Sequence, residues 1–320
     1  MATPTPLVPL RYVRLPGHGP EDVIADPQGR ILTGVADGRI LRLDTLTGPG
    51  APRVETLAET GGRPLGLELL PDGDLLVCDA ERGLLRADLG TGTVRVLADE
   101  VAGERLRFAS NAVAAPDGSV YVTVSSRRHP LDHWLADLVE DTRTGRLLRL
   151  APGGRAFEVL LEGLRFANGL ALSADAGFLV LAETRACRLT RYWLTGPKAG
   201  RREPFTEVLP GMPDNLWRSG PAGPVWVALA GPRVPALDVL ERAAPAVRRA
   251  AGRAARHVPF RPTGSAAVVA VDDDGRIVHH LARRRSRFRM VTSVCATPGH
   301  LVLGSLWEPG VAVCAPPAAR

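Results

Sequence analysis

The sequence predicts an all-β protein: a six-bladed β-propeller with short helical insertions on one face. Three observations lead there. Turn glycines recur at Gly29, Gly73, Gly118, Gly177, Gly223 and Gly299, the early ones about 44 residues apart, which is the length of a four-stranded blade. Each turn is followed by a short β-like run: ILTGVA (31–36), LLVCDA (75–80), VYVTVSS (120–126), FLVLAET (178–184), VWVALA (225–230) and LVLGSL (301–306). Most of these runs lead into a further hairpin strand in which apolar and polar residues alternate, as half-buried antiparallel strands do.

Taken in order, the hairpin strands are GRILRLD (38–44), RGLLRADLG (82–90), GRLLRLAPGG (145–154) and CRLTRYWL (187–194). The sixth unit is short at its C-terminal end. The N-terminal LVPLRYVRL (7–15) is expected to supply its outer strand and close the ring, which leaves few open sheet edges. Residues 1–320 then form a single domain. Two units carry insertions after their second strand. In 127–144, Leu131, Trp134, Leu135 and Leu138 recur with helical period. In 231–259, an Arg-rich amphipathic helix is interrupted by Pro245. Both insertions are placed on the face where the innermost strands begin. They read as solvated surface helices, as a lid, or, for the basic 231–259 segment, as a contact with a membrane surface or partner.

Composition narrows the class. Apolar residues make up 45% of the chain but aromatics only 5%, so the core must be Leu, Val and Ala. The net charge of +6 comes almost wholly from Arg, with Lys198 the single lysine. The arginines mostly alternate with apolar residues, as solvent-facing strand positions do, and this argues against nucleic-acid binding. Cys78, Cys187, Cys295 and Cys314 are far apart and read as buried hydrophobes rather than a disulfide or metal framework. There is no basic-then-apolar leader and no apolar run of spanning length. The expectation is a soluble, cytoplasmic protein acting on a small molecule.

One polar slot repeats within the units. GPEDVIADPQG (19–29), FASNAVAAPDG (108–118), FANGLALSADAG (166–177) and GMPDNLWRSGPAG (211–223) each place an acid or amide seven to nine residues before the turn glycine: Glu21, Asn111, Asn168 and Asp214. Oxygen-bearing side chains at the same point of successive blades converge on the ring axis. Such a set suits a hard cation, Ca²⁺ above all.

The runs GPEDVIADPQGRILTGVADGRI, RFANGLALSADAGFLVLAETRACRLTRYWLTGPKAG and PGMPDNLWRSGPAGPVWVALAGPR resemble the strictosidine synthase-like family, from about residue 18 to 310. That family lies within the wider superfamily of calcium-dependent propeller hydrolases that includes paraoxonases and gluconolactonases. The resemblance implies a metal in the axial tunnel held by Glu21, Asn111, Asn168 and Asp214, with Asn215 beside the last. It also implies an active site on the same face as the insertions. Three departures bear on function. The glutamate that strictosidine synthase uses as its base aligns with Thr292, a hydroxyl that cannot act as a general base near neutral pH. The paraoxonase second-blade histidine aligns with Leu65. The third-blade Asn-Asp pair is Asn111-Ala112 here.

The metal and its own ligands then remain. The expected activity is hydrolysis of lactones or aryl esters, with the cation polarising the carbonyl. Asp214 is the candidate base, because gluconolactonase-like relatives use the aspartate of this blade. The alternative is a non-catalytic propeller that binds a ligand or partner around a structural metal. His129 and His133 in the first insertion are the next candidates for the base, and His18 is a candidate neighbour of Glu21. Glu183 faces either the tunnel or an adjacent blade, and Asp272-Asp273-Asp274-Gly275 reads as a β-turn.

Overall fold

The computed structural model describes residues 4–44, 46, 50–220 and 223–317. Six four-stranded antiparallel sheets stand around a common axis, each running outward from an innermost strand. The first blade comprises Val23–Ala25, Ile31–Gly34, Arg39–Leu43 and Val54–Glu59, and the second Pro64–Leu69, Leu75–Asp79, Gly83–Ala87 and Val94–Ala98. The third comprises Ala109–Ala114, Val120–Val124, Gly145–Leu150 and Phe157–Leu164, and the fourth Ala167–Leu172, Phe178–Glu183, Arg188–Trp193 and Arg202–Pro204. The fifth comprises Gly211–Arg218, Val225–Pro232, Ser265–Val271 and Ile277–Arg284. The sixth is Val291–Thr297, His300–Ser305 and Gly310–Cys314, completed by the N-terminal Pro9–Arg14 as its outer strand. The predicted ring closure is therefore present. A short Thr5–Pro6 strand also adds in parallel to the outer edge of the fifth blade.

Burial explains the composition of each strand. Second strands such as Leu75–Asp79 and Val120–Val124 are buried at every residue because neighbouring blades cover both faces. β-branched and leucine side chains suit that doubly covered position. Outer strands such as Phe157–Leu164 are half-buried or exposed except at the last residue. Each seam between consecutive blades has its own apolar core. Ile24, Leu32 and Ile40 of the first blade meet Leu67, Leu75 and Val77 of the second. Val13, Val23 and Leu41 meet Cys295 and Val302 across the closing seam. All four cysteines are free and buried, as their spacing suggested.

The turns at Gly29, Gly73, Gly118 and Gly299 follow the sequence signal, and that at Gly177 does not. Gly29, Gly73 and Gly118 take the left-handed conformation that Asp-Gly-type turns need. In the fourth blade Ala176, not Gly177, occupies that position, with φ 55°.

The insertions build a cap. Helix α1, Trp134–Glu140, leaves the third blade; α2, Pro235–Glu241, and α3, Pro245–Ala255, leave the fifth. Pro235 and Pro245 each start a helix rather than break one, because the missing N–H falls where no helical bond is needed. Helix α3 packs closely on α1: a Cβ on Gly252 would lie 3.0 Å from Glu140 Cβ. None of these helices is long and apolar enough to cross a membrane.

Arg185, on the turn after the second strand of the fourth blade, fastens both insertions at once. Its Nε donates to the Leu138 carbonyl of α1 (2.9 Å), and its Nη2 donates to the Leu237 carbonyl of α2 (2.6 Å). Beside it, Arg165 bridges Asp141 and Glu241. Arg185→Ala is expected to cost on the order of 1.5–3 kcal/mol for each lost charged hydrogen bond. Limited proteolysis should then cut within 233–260 while the blades stay intact; a cap as resistant as that of the parent protein would show that Arg185 does not hold it.

Candidate functional site at the propeller axis

The innermost strands carry the site, and irregular pairing is what turns its side chains towards the axis. The ladders of the second to sixth blades each shift register: between Pro64 and Leu67, Ala109 and Asn111, Ala167 and Leu170, Pro213 and Leu216, and Val291 and Ser293. Such bulges re-aim side chains out of the pleat. Asn111, Asn168, Asp214, Asn215 and Thr292 lie within or at the edge of these shifts. Glu21 precedes its strand directly.

The five expected ligands are all buried, and hydrogen bonds join three of them in a chain. Asn111 Nδ2 donates to Asn215 Oδ1 (3.2 Å), and Asn215 Nδ2 donates to Glu21 Oε1 (3.0 Å). Ser110 Oγ donates to Asn168 Oδ1 (3.0 Å). Glu21, Asp214 and Asn168 reach the wall of the cavity above; Asn111 and Asn215 are not part of that wall. Neighbouring backbone approaches so closely that only glycine fits: a Cβ on Gly169 would lie 2.5 Å from the Asp214 carbonyl oxygen.

The electrostatics are those of a site short of positive charge. Glu21 Oε2 and Asp214 Oδ1 are buried and have no hydrogen-bond partner. Burial, with Asp214 and Asp22 alongside, pushes the Glu21 carboxyl well above the usual carboxylate range, against the pull of Arg63. Burial also pushes Asp214 well above that range, opposed by a hydrogen bond from Asn168. Asp22 is pushed up to about 7 by burial, although the Leu67 and Val23 N–H groups both donate to it. Of these three carboxylates only Glu21 feels a nearby guanidinium, that of Arg63, which also lies close to Asp79 and Asp37. Among the described residues no three His, Cys, Asp or Glu side chains converge in a metal-holding group; the cluster consists of two carboxylates and three amides. Two orphaned carboxylate oxygens beside amide oxygens fit a hard divalent cation, which favours oxygen donors and would balance the excess negative charge.

Above this floor lies a cavity of about 330 Å³, roofed by the cap. Its walls are apolar: Leu65, Phe108, Leu138, Phe166, Met212 and Met290 among others, with Ser110, Thr184 and Thr292 the hydroxyls near the floor and Arg261 the guanidinium on its wall. Phe108, Phe166 and Met290 each stand just before an innermost strand with φ of 57°, 62° and 51°. Left-handed backbone at bulky residues costs on the order of 1–3 kcal/mol each and clusters at functional sites. The rings of Phe108 and Phe166 meet edge to face at 5.5 Å. Sequence reasoning missed this device, although the repeated Phe-Ala of FASN and FANG marks two of its three positions.

The other candidates lie elsewhere. His18 is exposed and lines a surface groove with Arg14 and Asp37, so it is not a neighbour of the ligand cluster. His129 is buried inside the cap, with Nε2 3.0 Å from Glu140 Oε2 and Nδ1 3.2 Å from Arg256. Neither His129 nor His133 lines the cavity. Glu183 turns to Thr190 and Arg188 rather than into the tunnel. Asp272 accepts the Asp274 and Arg276 N–H groups, the β-turn expected.

A six-bladed propeller with an axial floor of carboxylates and amides under an apolar, capped cavity defines the class. Within it, the chain belongs to the strictosidine synthase-like family. Residues 110–197 match the strictosidine synthase family and residues 6–43 the N-terminal strictosidine synthase-like family. The strictosidine synthase-like 6 protein of Arabidopsis thaliana is 32% identical over 294 residues, which covers 91% of this chain and 77% of that one. Among solved structures, a gluconolactonase from Xanthomonas campestris superposes with TM-score 0.65 at 17% identity, over 99% of both chains. A calcium-binding regucalcin from Agrobacterium tumefaciens also gives 0.65 at 17% identity, over 98% of this chain and 95% of that one. These two share the propeller fold.

Proposed function

We propose that this protein is a Ca²⁺-dependent hydrolase of apolar lactones or aryl esters. The observation that carries the reading is the pair of orphaned buried oxygens, Glu21 Oε2 and Asp214 Oδ1, at the base of an apolar cavity. Its fold neighbours include a gluconolactonase and a calcium-binding regucalcin. When bound, the cation supplies a Lewis acid that polarises the substrate carbonyl. Glu21, Asn168 and Asp214 would hold it, with Asn111 and Asn215 completing the set through their amide oxygens. The apolar walls take the alkyl or aryl part of the substrate and exclude bulk water. Asp214 removes a proton from the attacking water as it adds to the carbonyl carbon. The same proton passes to the leaving oxygen as the ester C–O bond breaks.

The test is a panel of lactones and aryl esters, assayed with Ca²⁺ and again after chelation. Turnover with Ca²⁺ that disappears on chelation supports the reading, and undiminished turnover in chelator overturns it. A second reading, a ligand-binding propeller without catalysis, is favoured by Leu65 and Thr292, neither of which can take a proton. It requires saturable binding of an apolar ligand with no turnover across the panel.

Condensation of an amine with an aldehyde is not expected. The Thr292 hydroxyl donates to the Glu21 carbonyl at 2.6 Å, and no carboxylate adjoins it, since its neighbours are Val291 and Ser293. Incubation with tryptamine and secologanin should yield no condensation product; its appearance would contradict this assignment.

A further inference from the structure

We propose that Thr123, Thr184 and Thr292 are positioning residues for the axial cation, each fixing a ligand on the next blade. This rests on the calcium reading above.

The three make the same contact. Thr123 of the third blade donates its hydroxyl to the Asn168 carbonyl of the fourth, at 2.6 Å. Thr184 of the fourth donates to the Pro213 carbonyl of the fifth, next to Asp214, at 2.7 Å. Thr292 of the sixth donates to the Glu21 carbonyl of the first, at 2.6 Å. All three side chains are buried. The backbone of Asn111, the remaining expected ligand from the repeated slot, is held within its own blade. Its N–H donates to Thr123 Oγ1 (3.2 Å), and that hydroxyl also lies 3.3 Å from the Asn111 carbonyl.

The reason for these contacts lies in the bulges. Asn168 and Pro213 stand where their ladders shift register, and Glu21 stands ahead of its strand. Their carbonyls therefore face into the seam, where a buried acceptor needs a donor. A threonine from the preceding blade supplies it. The same bond fixes the rotation of the peptide carrying the ligand, and with it the direction of the carboxylate or amide. Asn168 Nδ2 also donates to Thr184 Oγ1 at 3.3 Å, which links two of these contacts. Coordination by preorganised side chains depends on such support from neighbouring groups.

The experiment compares the valine and serine variants of each threonine with the parent protein. Thr206→Val serves as a control, because it removes a buried hydroxyl that accepts the Leu189 N–H (3.0 Å) beyond the outer strand of the fourth blade, away from the ligands. Ca²⁺ affinity is read by isothermal titration, and stability by the Tm of chelated protein. Thr→Val is expected to weaken Ca²⁺ binding about tenfold or more, in the range seen for loss of groups supporting metal ligands. Thr→Ser should restore it to within about twofold, and Thr206→Val should lower Tm without moving the affinity. Valine variants that lose Tm but keep parental affinity overturn the inference and leave the calcium site standing. A parent protein that binds no Ca²⁺ overturns both. Should a valine variant fail to fold, Thr→Cys keeps the size and weakens the hydrogen bond; unchanged affinity there is equally fatal.

Discussion

Asp214→Asn is expected to reduce hydrolysis by about 10²–10⁴-fold, the contribution of a general base, while the propeller remains folded. The amide keeps an oxygen on the axis and the side chain keeps its volume, so the seams lose no packing. Stability supplies an independent check with a definite sign. Asp214 is buried beside Asp22 and one of its oxygens has no partner. Neutralising it removes repulsion in the metal-free protein, whose Tm should rise or hold. A variant that keeps most of its turnover would move the base elsewhere. The cap histidines are poor replacements, because His129 is already engaged by Glu140 and Arg256.

Calcium itself should bind at one equivalent per chain and stabilise the fold. A ligand selective for the native state adds about 4 kcal/mol at a thousand times its Kd, a rise in Tm of several degrees for a chain of this size. The effect should depend on pH. Glu21 and Asp214 have folded-state pKa values raised above their unfolded values. Their contribution to the stability of the metal-free protein is therefore greatest below the ordinary carboxylate range and is lost as pH rises through the raised values. Ca²⁺ competes with those protons, so its stabilising effect should be larger at pH 8 than at pH 5. Thermal scans with and without chelator at both values decide it; equal Tm values throughout would remove the metal from the site.

Much of the architecture was legible in the chain. Turn glycines at blade intervals, period-two strands and the N-terminal run were local signals, and they appear where they were placed apart from the fourth-blade turn, which Ala176 makes instead of Gly177. The axial cluster proposed to hold the cation was legible as a pattern for the same reason: Glu21, Asn111, Asn168 and Asp214 hold a common register within their repeats. What escaped depends on contacts between blades. Nothing in VYVTV shows that Thr123 bonds a carbonyl 45 residues further on. Nothing around His129 shows that α3, from another blade, buries it. His18 lies three residues before Glu21, yet the intervening turn leaves it outside. The bulges carry no composition of their own beyond a glycine at Gly66 and Gly169, and there the close approach of the neighbouring strand is the cause.

The closing seam has a further consequence, for rates. Pro9–Arg14 pairs with Gly310–Cys314, and Glu21 follows only a few residues later on the same segment. Glu21 is joined to Asn215 of the fifth blade and Thr292 of the sixth. Opening the ring at this seam therefore takes Glu21 away from its partners in the same movement. Interactions completed only when the ring is shut leave folding speed almost unchanged and slow the reverse step. A cation gripped there would act as a clasp, extending the lifetime of the folded ring in denaturant while the refolding limb of the chevron stays where it was.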